Sequence, residues 1–250
     1  MVFLYAKAAN TLEIRKRMID FHTHILPGID DGSESVAETA ALLEEEVRQG
    51  VTKVIATPHF YAHRRSVDDF LQRRARSMDR IRELRDRPNC PEIITGAEVY
   101  FFPGMGRADK LKELCIEGTD LILVEMPFKQ WTEEVYENIR DIIQRQKLRV
   151  VLAHMDRYPQ FQKKKGIWDS VMDLPLTPQI NAESLTGGFR HRRFSLELLR
   201  QRTDVIIGSD CHNMTNRKPN LQEACRVIEK KLGKERIQQL DKAAAALLGI

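Results

Sequence analysis

The sequence of 250 residues has no apolar run close to the roughly 18 residues that a membrane-spanning helix needs, so we expect no membrane insertion. No Cys-x-x-Cys pair occurs among its four cysteines, and no basic segment precedes the apolar residues at its start. These absences disfavour an exported, disulfide-rich protein and predict a cytoplasmic one. No strong excess of one charge exists either, because the net charge is only +4. The arginine-rich stretch 73–87 is therefore interpreted as a solvated helix face, and we expect no nucleic-acid binding.

Short apolar runs alternate with longer amphipathic stretches along the chain. Seven runs predict strands, at 18–21, 51–57, 92–97, 121–124, 150–153, 179–181 and 205–208. Helices are predicted between them, over 35–50, from Ser66 onward, and near 109–117, 132–146, 195–202, 219–232 and 234–248, whereas the basic segment 157–169 is interpreted as a solvated loop. Strands that are apolar on both faces suit a parallel sheet covered by helices. The order predicts a single α/β domain over 18–250, a distorted seven-stranded (β/α)7 TIM-like barrel, preceded by an N-terminal arm or over-extended start at residues 1–17.

Residue types that bind metals follow six of the seven predicted strands. In βα barrels the chemistry lies at the carboxyl ends of the strands, and five of the seven histidines fall at these ends. His22 and His24 stand two residues apart, so both side chains can reach one metal ion. The full set of candidate ligands is His22, His24, Asp31, His59, Glu98, Glu125, His154, Asp210 and His212. Nine ligands are too many for one ion, so we predict two or three divalent ions, Mn in the first place, with Fe or Zn as alternatives.

With these motifs assembled, the sequence resembles the PHP (polymerase and histidinol phosphatase) superfamily, and within it the manganese-dependent tyrosine-protein phosphatases of bacterial capsule and exopolysaccharide gene clusters. The resemblance covers residues 18–248. It is carried by the opening string MIDFHTHILPGIDDG and then, in the family's order, by ATPHF, GAEVY, LVEMP, AHMDRY, QINAESLTG and GSDCHN. It implies the PHP fold and a three-metal site, with Glu98 bridging two ions. The implied groups are His22, His24, Glu98 and Asp210; Glu98, Glu125 and His154; and Asp31, His59 and His212.

The resemblance also implies an activity, the hydrolysis of phosphotyrosine on a protein by in-line attack of a metal-bound hydroxide. Arg157 and Arg217 match the positions that grip the substrate phosphate, and a planar guanidinium can bind two phosphate oxygens. The implied partner is the C-terminal tail of a bacterial tyrosine kinase that controls polysaccharide synthesis. Two alternatives stay open: a PHP phosphatase for small metabolites such as histidinol phosphate, and an idle relative that binds phosphotyrosine. The oligomeric state is also left open.

A competing mechanism is suggested by the Cys-x5-Arg spacing of Cys211 and Arg217, the signature of cysteine-dependent tyrosine phosphatases. The five residues between them include no glycine that would let the backbone curl around a phosphate. Cys211 also stands between two predicted ligands at a strand end, so its side chain is expected to point away from the metals. The sequence therefore favours the metal mechanism.

Overall fold

The computed structural model describes residues 18–250, so the predicted N-terminal arm lies outside the described residues. The strands of this part are β1 (Met18–Thr23), β2 (Val51–Ala56), β3 (His59–Phe60), β4 (Glu92–Thr95), β5 (Glu98–Tyr100), β6 (Leu121–Glu125), β7 (Arg149–Leu152), β8 (Thr177–Asn181) and β9 (Ile206–Gly208). The helices are α1 (Val36–Gln49), α2 (Val67–Arg80), α3 (Arg82–Arg85), α4 (Glu133–Gln144), α5 (Lys165–Met172), α6 (Ala182–Thr186), α7 (Phe189–Gln201), α8 (Leu221–Leu232) and α9 (Lys234–Leu248).

The strands form two sheets in which every pairing is parallel, in the orders β1-β2-β4 and β3-β5-β6-β7-β8-β9. Backbone hydrogen bonds join the end of β1 to the residues after β9. Asp210 N donates to His22 O at 2.8 Å, and His24 N donates to Cys211 O at 2.9 Å. The prediction of a mixed α/β domain built on a curled parallel sheet is therefore confirmed.

The predicted count of seven strands is not confirmed, because a further short strand that was not predicted, β3 or β5, follows each of the second and third predicted strands after a break. The breaks lie at Thr57-Pro58 and at Gly96-Ala97. Pro58 has no N–H to donate to a strand ladder, and its carbonyl accepts instead from Glu98 N at 3.1 Å. Each break starts a new short strand on a candidate ligand, His59 or Glu98, and the register of β3 and β5 places these two residues side by side.

Helices α1 and α2 begin after the predicted capping residues, and α1 also ends at the predicted glycine. Ser35 accepts a hydrogen bond from Glu38 N at 3.1 Å, Ser66 accepts one from Asp69 N at 3.2 Å, and Gly50 ends α1 in the left-handed conformation with a φ of 90°. Such caps satisfy the backbone donors and acceptors that a helix leaves open at its ends. No helix in residues 18–250 is long and apolar enough to cross a bilayer.

Two predicted segments differ from the structure. The predicted helix near 109–117 is only a short 3-10 turn, Leu111–Leu114, because Ile116 N and Glu117 N bond to Leu121 O and Thr95 O instead of continuing a helix. The basic segment predicted as a loop contains the start of α5. Trp168 stabilises that helix, since its buried ring packs 5.1 Å from the ring of Trp131.

Candidate metal centre

The nine predicted ligand residues all lie where strands of the sheet end. Seven belong to strands or follow a strand within two residues, and the parallel arrangement brings them to one rim. The loop after β1 supplies Asp31, and the segment that follows β9 brings His212 to the same place. Seven of the nine are buried, whereas His59 is partly exposed and Asp31 is exposed.

Glu98 occupies the middle of the cluster. Its Oε2 lies 3.3 Å from Nε2 of both His22 and His24 and 2.9 Å from Nδ1 of His59. Its Oε1 lies 2.5 Å from Nε2 of His154. One fully buried carboxylate thus faces four imidazole rings, which is an arrangement suited to a group shared between two cations.

The ligand atoms form four overlapping groups, each with all its atoms within 4.8 Å of one another. The groups are His24, Asp31, His59 and His212; His22, His154 and Asp210; His22, His24 and Glu98; and His59, Glu98 and Glu125. Asp31, His59 and His212, which the resemblance assigns to one ion, fall in one group. Glu98 belongs to two groups, and Nε2 of His154 also lies 3.5 Å from Oε1 of Glu125.

The residues of the cluster fit bound metal ions. Among the described residues, six buried atoms of this cluster make no well-aligned hydrogen bond: Nδ1 of His59, both carboxylate oxygens of Glu98, Nε2 of His154, Oδ1 of Asp210 and Nε2 of His212. Two of them, Nδ1 of His59 and Nε2 of His154, nevertheless lie within 2.9 Å of Glu98. A buried polar atom without a partner costs about 1–3 kcal/mol, and folded proteins keep few of them. Nitrogen and carboxylate oxygen atoms without thiolate suit Mn, Fe or Zn.

The charges of the cluster favour the ionised forms of Glu98 and Asp210. Burial would raise the pKa of Glu98, but the fields of His22 and His154 lower it well below its usual value. The pKa of Asp210 is also lowered well below its usual value by His22 and His154, although burial acts to raise it. For His154 burial acts to lower the pKa, whereas Glu98 and Asp210 raise it to about 10. A divalent cation that binds His154 would displace the proton that this raised pKa favours.

A second layer of side chains, which was not predicted from the sequence, contacts the candidate ligands and orients them. Oε1 of Gln179 lies 3.1 Å from Nδ1 of His22 and accepts from His154 N at 3.0 Å. Oδ2 of Asp30 lies 2.7 Å from Nδ1 of His24. These acceptors make Nδ1 the donor and turn the Nε2 lone pairs of His22 and His24 towards the cluster. One signal was available, because Gln179 and Asn181 end the one predicted strand without a candidate ligand.

The two predicted phosphate-binding arginines lie side by side at the partly exposed edge of the cluster. Nη2 of Arg157 and Nη2 of Arg217 donate to the same atom, Oδ2 of Asp210, at 3.0 and 2.9 Å. Nδ2 of Asn181 donates to that oxygen as well, at 2.8 Å. A guanidinium has five N–H donors, so each arginine keeps donors beyond the one that Asp210 uses.

Backbone conformation at the strand ends also serves the cluster. His154 and Asp210 have φ values of 46° and 55°, in the left-handed region that few residues other than glycine adopt. Such conformations cost about 1–3 kcal/mol each and concentrate at functional sites. Gly208 is required by a close approach, since an added Cβ would lie 2.5 Å from Cβ of His22.

Comparison with known proteins places this geometry in a family context. The family model described as capsular polysaccharide synthesis, CpsB/CapC, matches residues 18–248. The tyrosine-protein phosphatase YwqE of Bacillus subtilis (strain 168) is 30% identical over 240 residues, which are 92% of this chain and 91% of YwqE. The tyrosine-protein phosphatase CpsB of Streptococcus agalactiae serotype III (strain NEM316) is 27% identical over 236 residues, covering 89% of this chain and 94% of CpsB.

A solved structure shows the same fold. It comes from crystal structures of YwqE from Bacillus subtilis and CpsB from Streptococcus pneumoniae, which are described as unique metal-dependent tyrosine phosphatases. The TM-score is 0.79 at 27% sequence identity, and the superposition covers 93% of this chain and 94% of that one.

Proposed function

The chain belongs to the CpsB/CapC family of capsular polysaccharide synthesis, and on that premise we propose that it is a metal-dependent tyrosine-protein phosphatase. The observation that carries the proposal is the set of unpartnered nitrogen and oxygen atoms around Glu98. It lies in a chain that matches proteins named tyrosine-protein phosphatases along most of its length. A phosphohydrolase of this kind needs several cations next to a phosphate-binding group, and Arg157 and Arg217 adjoin the cluster.

The metal site that we propose holds two or three divalent ions, Mn in the first place, with Fe or Zn as alternatives. Its ligands are His22, His24, Asp31, His59, Glu98, Glu125, His154, Asp210 and His212. When bound, such ions lower the pKa of a coordinated water molecule and offset negative charge on phosphoryl oxygens. The overlap of the four ligand groups supports more than one ion, because neighbouring groups share Glu98, His22, His24 and His59.

The arginines have the role of holding and orienting the substrate phosphate. The guanidinium fork of Arg157 or Arg217 can bind two phosphate oxygens and stays charged at every relevant pH. Both groups are already fixed on Asp210, so little of their conformational freedom is lost when a phosphate binds. Charge that develops on the phosphoryl oxygens is then met by donors in place before the reaction.

Three finer proposals rest on family membership. We propose that the substrate is the C-terminal tail of a bacterial tyrosine kinase that controls capsule or exopolysaccharide synthesis, which the family's description as capsular polysaccharide synthesis supports. We also propose that the chain acts in the cytoplasm.

Finally, we propose that the fold is a distorted seven-stranded barrel of the PHP type, with β2 and β3 counted as one strand and β4 and β5 as another. The bonds between the ends of β1 and β9 support this closure.

The substrate class is tested by turnover of a phosphotyrosine peptide and of histidinol phosphate by the same manganese-loaded protein. We expect a higher kcat/KM for the peptide, because the family's named relatives are tyrosine-protein phosphatases. A preference for histidinol phosphate would favour the small-molecule alternative instead. An idle phosphotyrosine-binding relative would turn over neither compound, and would carry almost no Mn, Fe or Zn after loading.

A cysteine mechanism is not supported by the environment of Cys211. The thiol is fully buried, and its Sγ lies 3.8 Å from Oε1 of Glu46 rather than among the candidate ligands. Burial raises its pKa well above the usual value, and Glu46 and Asp20 raise it further. The expectation that this side chain points away from the metal cluster is confirmed, and a thiol held protonated is a poor nucleophile.

Substitution Cys211→Ser is therefore expected to leave most of the phosphatase activity intact. The hydroxyl replaces a thiol that contacts neither the arginines nor the ligand atoms, so the chemistry at the cluster is preserved. Initial rates on a phosphotyrosine peptide, with and without a chelator, provide the measurement. Loss of turnover in the variant, together with full wild-type activity in chelator, would show that the thiol is the nucleophile.

A further inference from the structure

Phe128 is a large apolar side chain exposed at the edge of the metal centre. It follows β6 and the ligand residue Glu125, and 39% of its surface is accessible. Its ring lies 6.5 Å from the ring of His154, with 23° between the planes, and 5.5 Å from the ring of Tyr158. An aromatic ring packed on a ligand residue and still open to solvent can bind a further apolar group.

The backbone that carries this ring is held firmly on both sides. The side chain of Gln162, which is buried, donates to Lys129 O at 2.9 Å and accepts from Trp131 N at 3.0 Å. Nε1 of Trp131 donates to Pro127 O at 3.1 Å. Phe128 therefore projects from a fixed segment, and little entropy is lost when a ligand packs against it.

The ring is also next to the proposed phosphate-binding group. Arg157 ends the 3-10 turn Met155–Arg157, and Phe128 packs on the two residues that flank this turn, His154 and Tyr158. In an aryl phosphate, one oxygen atom alone separates phosphorus from the ring. A phosphate held by Arg157 would thus bring a phenyl ring into the neighbourhood of Phe128.

The aromatic side chain nearest His59, on the other side of Glu98, is less suited to this role. The ring of Tyr61 lies 5.1 Å from the ring of His59, but the guanidinium of Arg64 covers it at 4.6 Å from the ring centroid. Within residues 18–250, Phe128 is the exposed aromatic residue that contacts a candidate ligand without such a cover.

We propose that Phe128 binds the phenyl ring of the substrate and thereby favours aryl phosphates over alkyl phosphates. This inference rests on the proposed phosphatase function and adds the residue that selects tyrosine. Phe128 would act by contact with the substrate ring and take no part in proton transfer or in metal binding. Its effect is therefore expected in binding and in KM, while kcat changes little.

Two phosphonates that cannot be hydrolysed separate ring binding from chemistry. Calorimetric titration of the manganese-loaded protein compares phenylphosphonate, which carries the ring, with methylphosphonate, which lacks it. In Phe128→Ala we expect the affinity for phenylphosphonate to fall about tenfold, as loss of one aromatic contact predicts, while methylphosphonate binds unchanged. Phe128→Tyr keeps an aromatic ring and should restore most of the affinity.

Phe189→Ala is the matched control, because Phe189 is another exposed phenylalanine, 70% accessible, and lines a groove between α7 and α8 instead of the metal centre. It should leave the binding of both phosphonates unchanged. Equal loss of both in Phe128→Ala, or no loss of either, contradicts the ring contact. If wild-type protein still hydrolyses a phosphotyrosine peptide in that case, the proposed function stands and this inference alone fails. Absence of any such hydrolysis by the manganese-loaded wild type overturns both.

Discussion

Replacing Glu98 by glutamine should lower phosphotyrosine turnover about a thousandfold, because we propose it as a ligand shared by two ions, and such ions supply several kcal/mol of charge stabilisation in the reaction. The carboxylate lies within 3.3 Å of four imidazole rings, and neither of its oxygens accepts a well-aligned hydrogen bond from the described residues. Glutamine keeps the shape but loses the negative charge that binds cations. Metal analysis of the purified variant should therefore show less bound manganese along with the lost activity.

Glu117→Gln is the matched control for this substitution. Glu117 is exposed, accepts a hydrogen bond from the hydroxyl of Thr95 at 2.9 Å, and belongs to none of the four groups of candidate ligands. Its variant should keep both the turnover and the metal content of the wild type. Full manganese binding and full turnover in Glu98→Gln would show that the cluster does not hold the catalytic ions.

Removing either of the two arginines proposed to bind the phosphate, Arg157 or Arg217, is expected to lower kcat/KM about a hundredfold, the usual cost of losing one donor to developing charge. In Arg157→Ala, Asp210 still accepts from Arg217 and Asn181, so the ligand cluster keeps its arrangement. The loss should thus occur without loss of metal, which distinguishes these variants from Glu98→Gln. Arg217→Ala should behave in the same way, since Arg157 then remains on Asp210.

Lysine at either position should recover only part of the activity, because an ammonium group lacks the planar fork that binds two phosphate oxygens. Arg107→Ala provides the control, as that side chain is exposed and pairs with Asp141 at 3.3 Å on another part of the surface. Steady-state kinetics on a phosphotyrosine peptide, with metal content measured in parallel, give the comparison. Unchanged kcat/KM in both arginine variants would remove these residues from phosphate binding.

The convergence of the site could be predicted because it follows from the direction of the strands. Parallel strands present their carboxyl ends at one rim, so residues as distant in sequence as His22 and Asp210 were expected to meet. The capping residues Ser35 and Ser66 were readable for a similar reason, since each acts on a helix that begins beside it.

Features that depend on contacts between distant segments were not readable. At the break after β2, the carbonyl of Pro58 accepts a hydrogen bond from Glu98 N. The predicted helix near 109–117 ends early because the N–H groups of residues 116 and 117 bond to carbonyls of Leu121 and Thr95. The helix α5 is stabilised by the packing of the Trp168 ring on the ring of Trp131. For Gln179 the sequence offered only the indirect signal of a predicted strand without a candidate ligand, and its contacts with His22 and His154 are visible in the structure alone.

The central claim, that bound metal ions at this rim carry out the hydrolysis, is tested by phosphate release from a phosphotyrosine peptide after metal removal. Wild-type protein treated with a chelator and then freed of it should be inactive, and added Mn should restore the rate. Retention of the full rate after complete removal of metal would contradict the claim and direct attention back to Cys211.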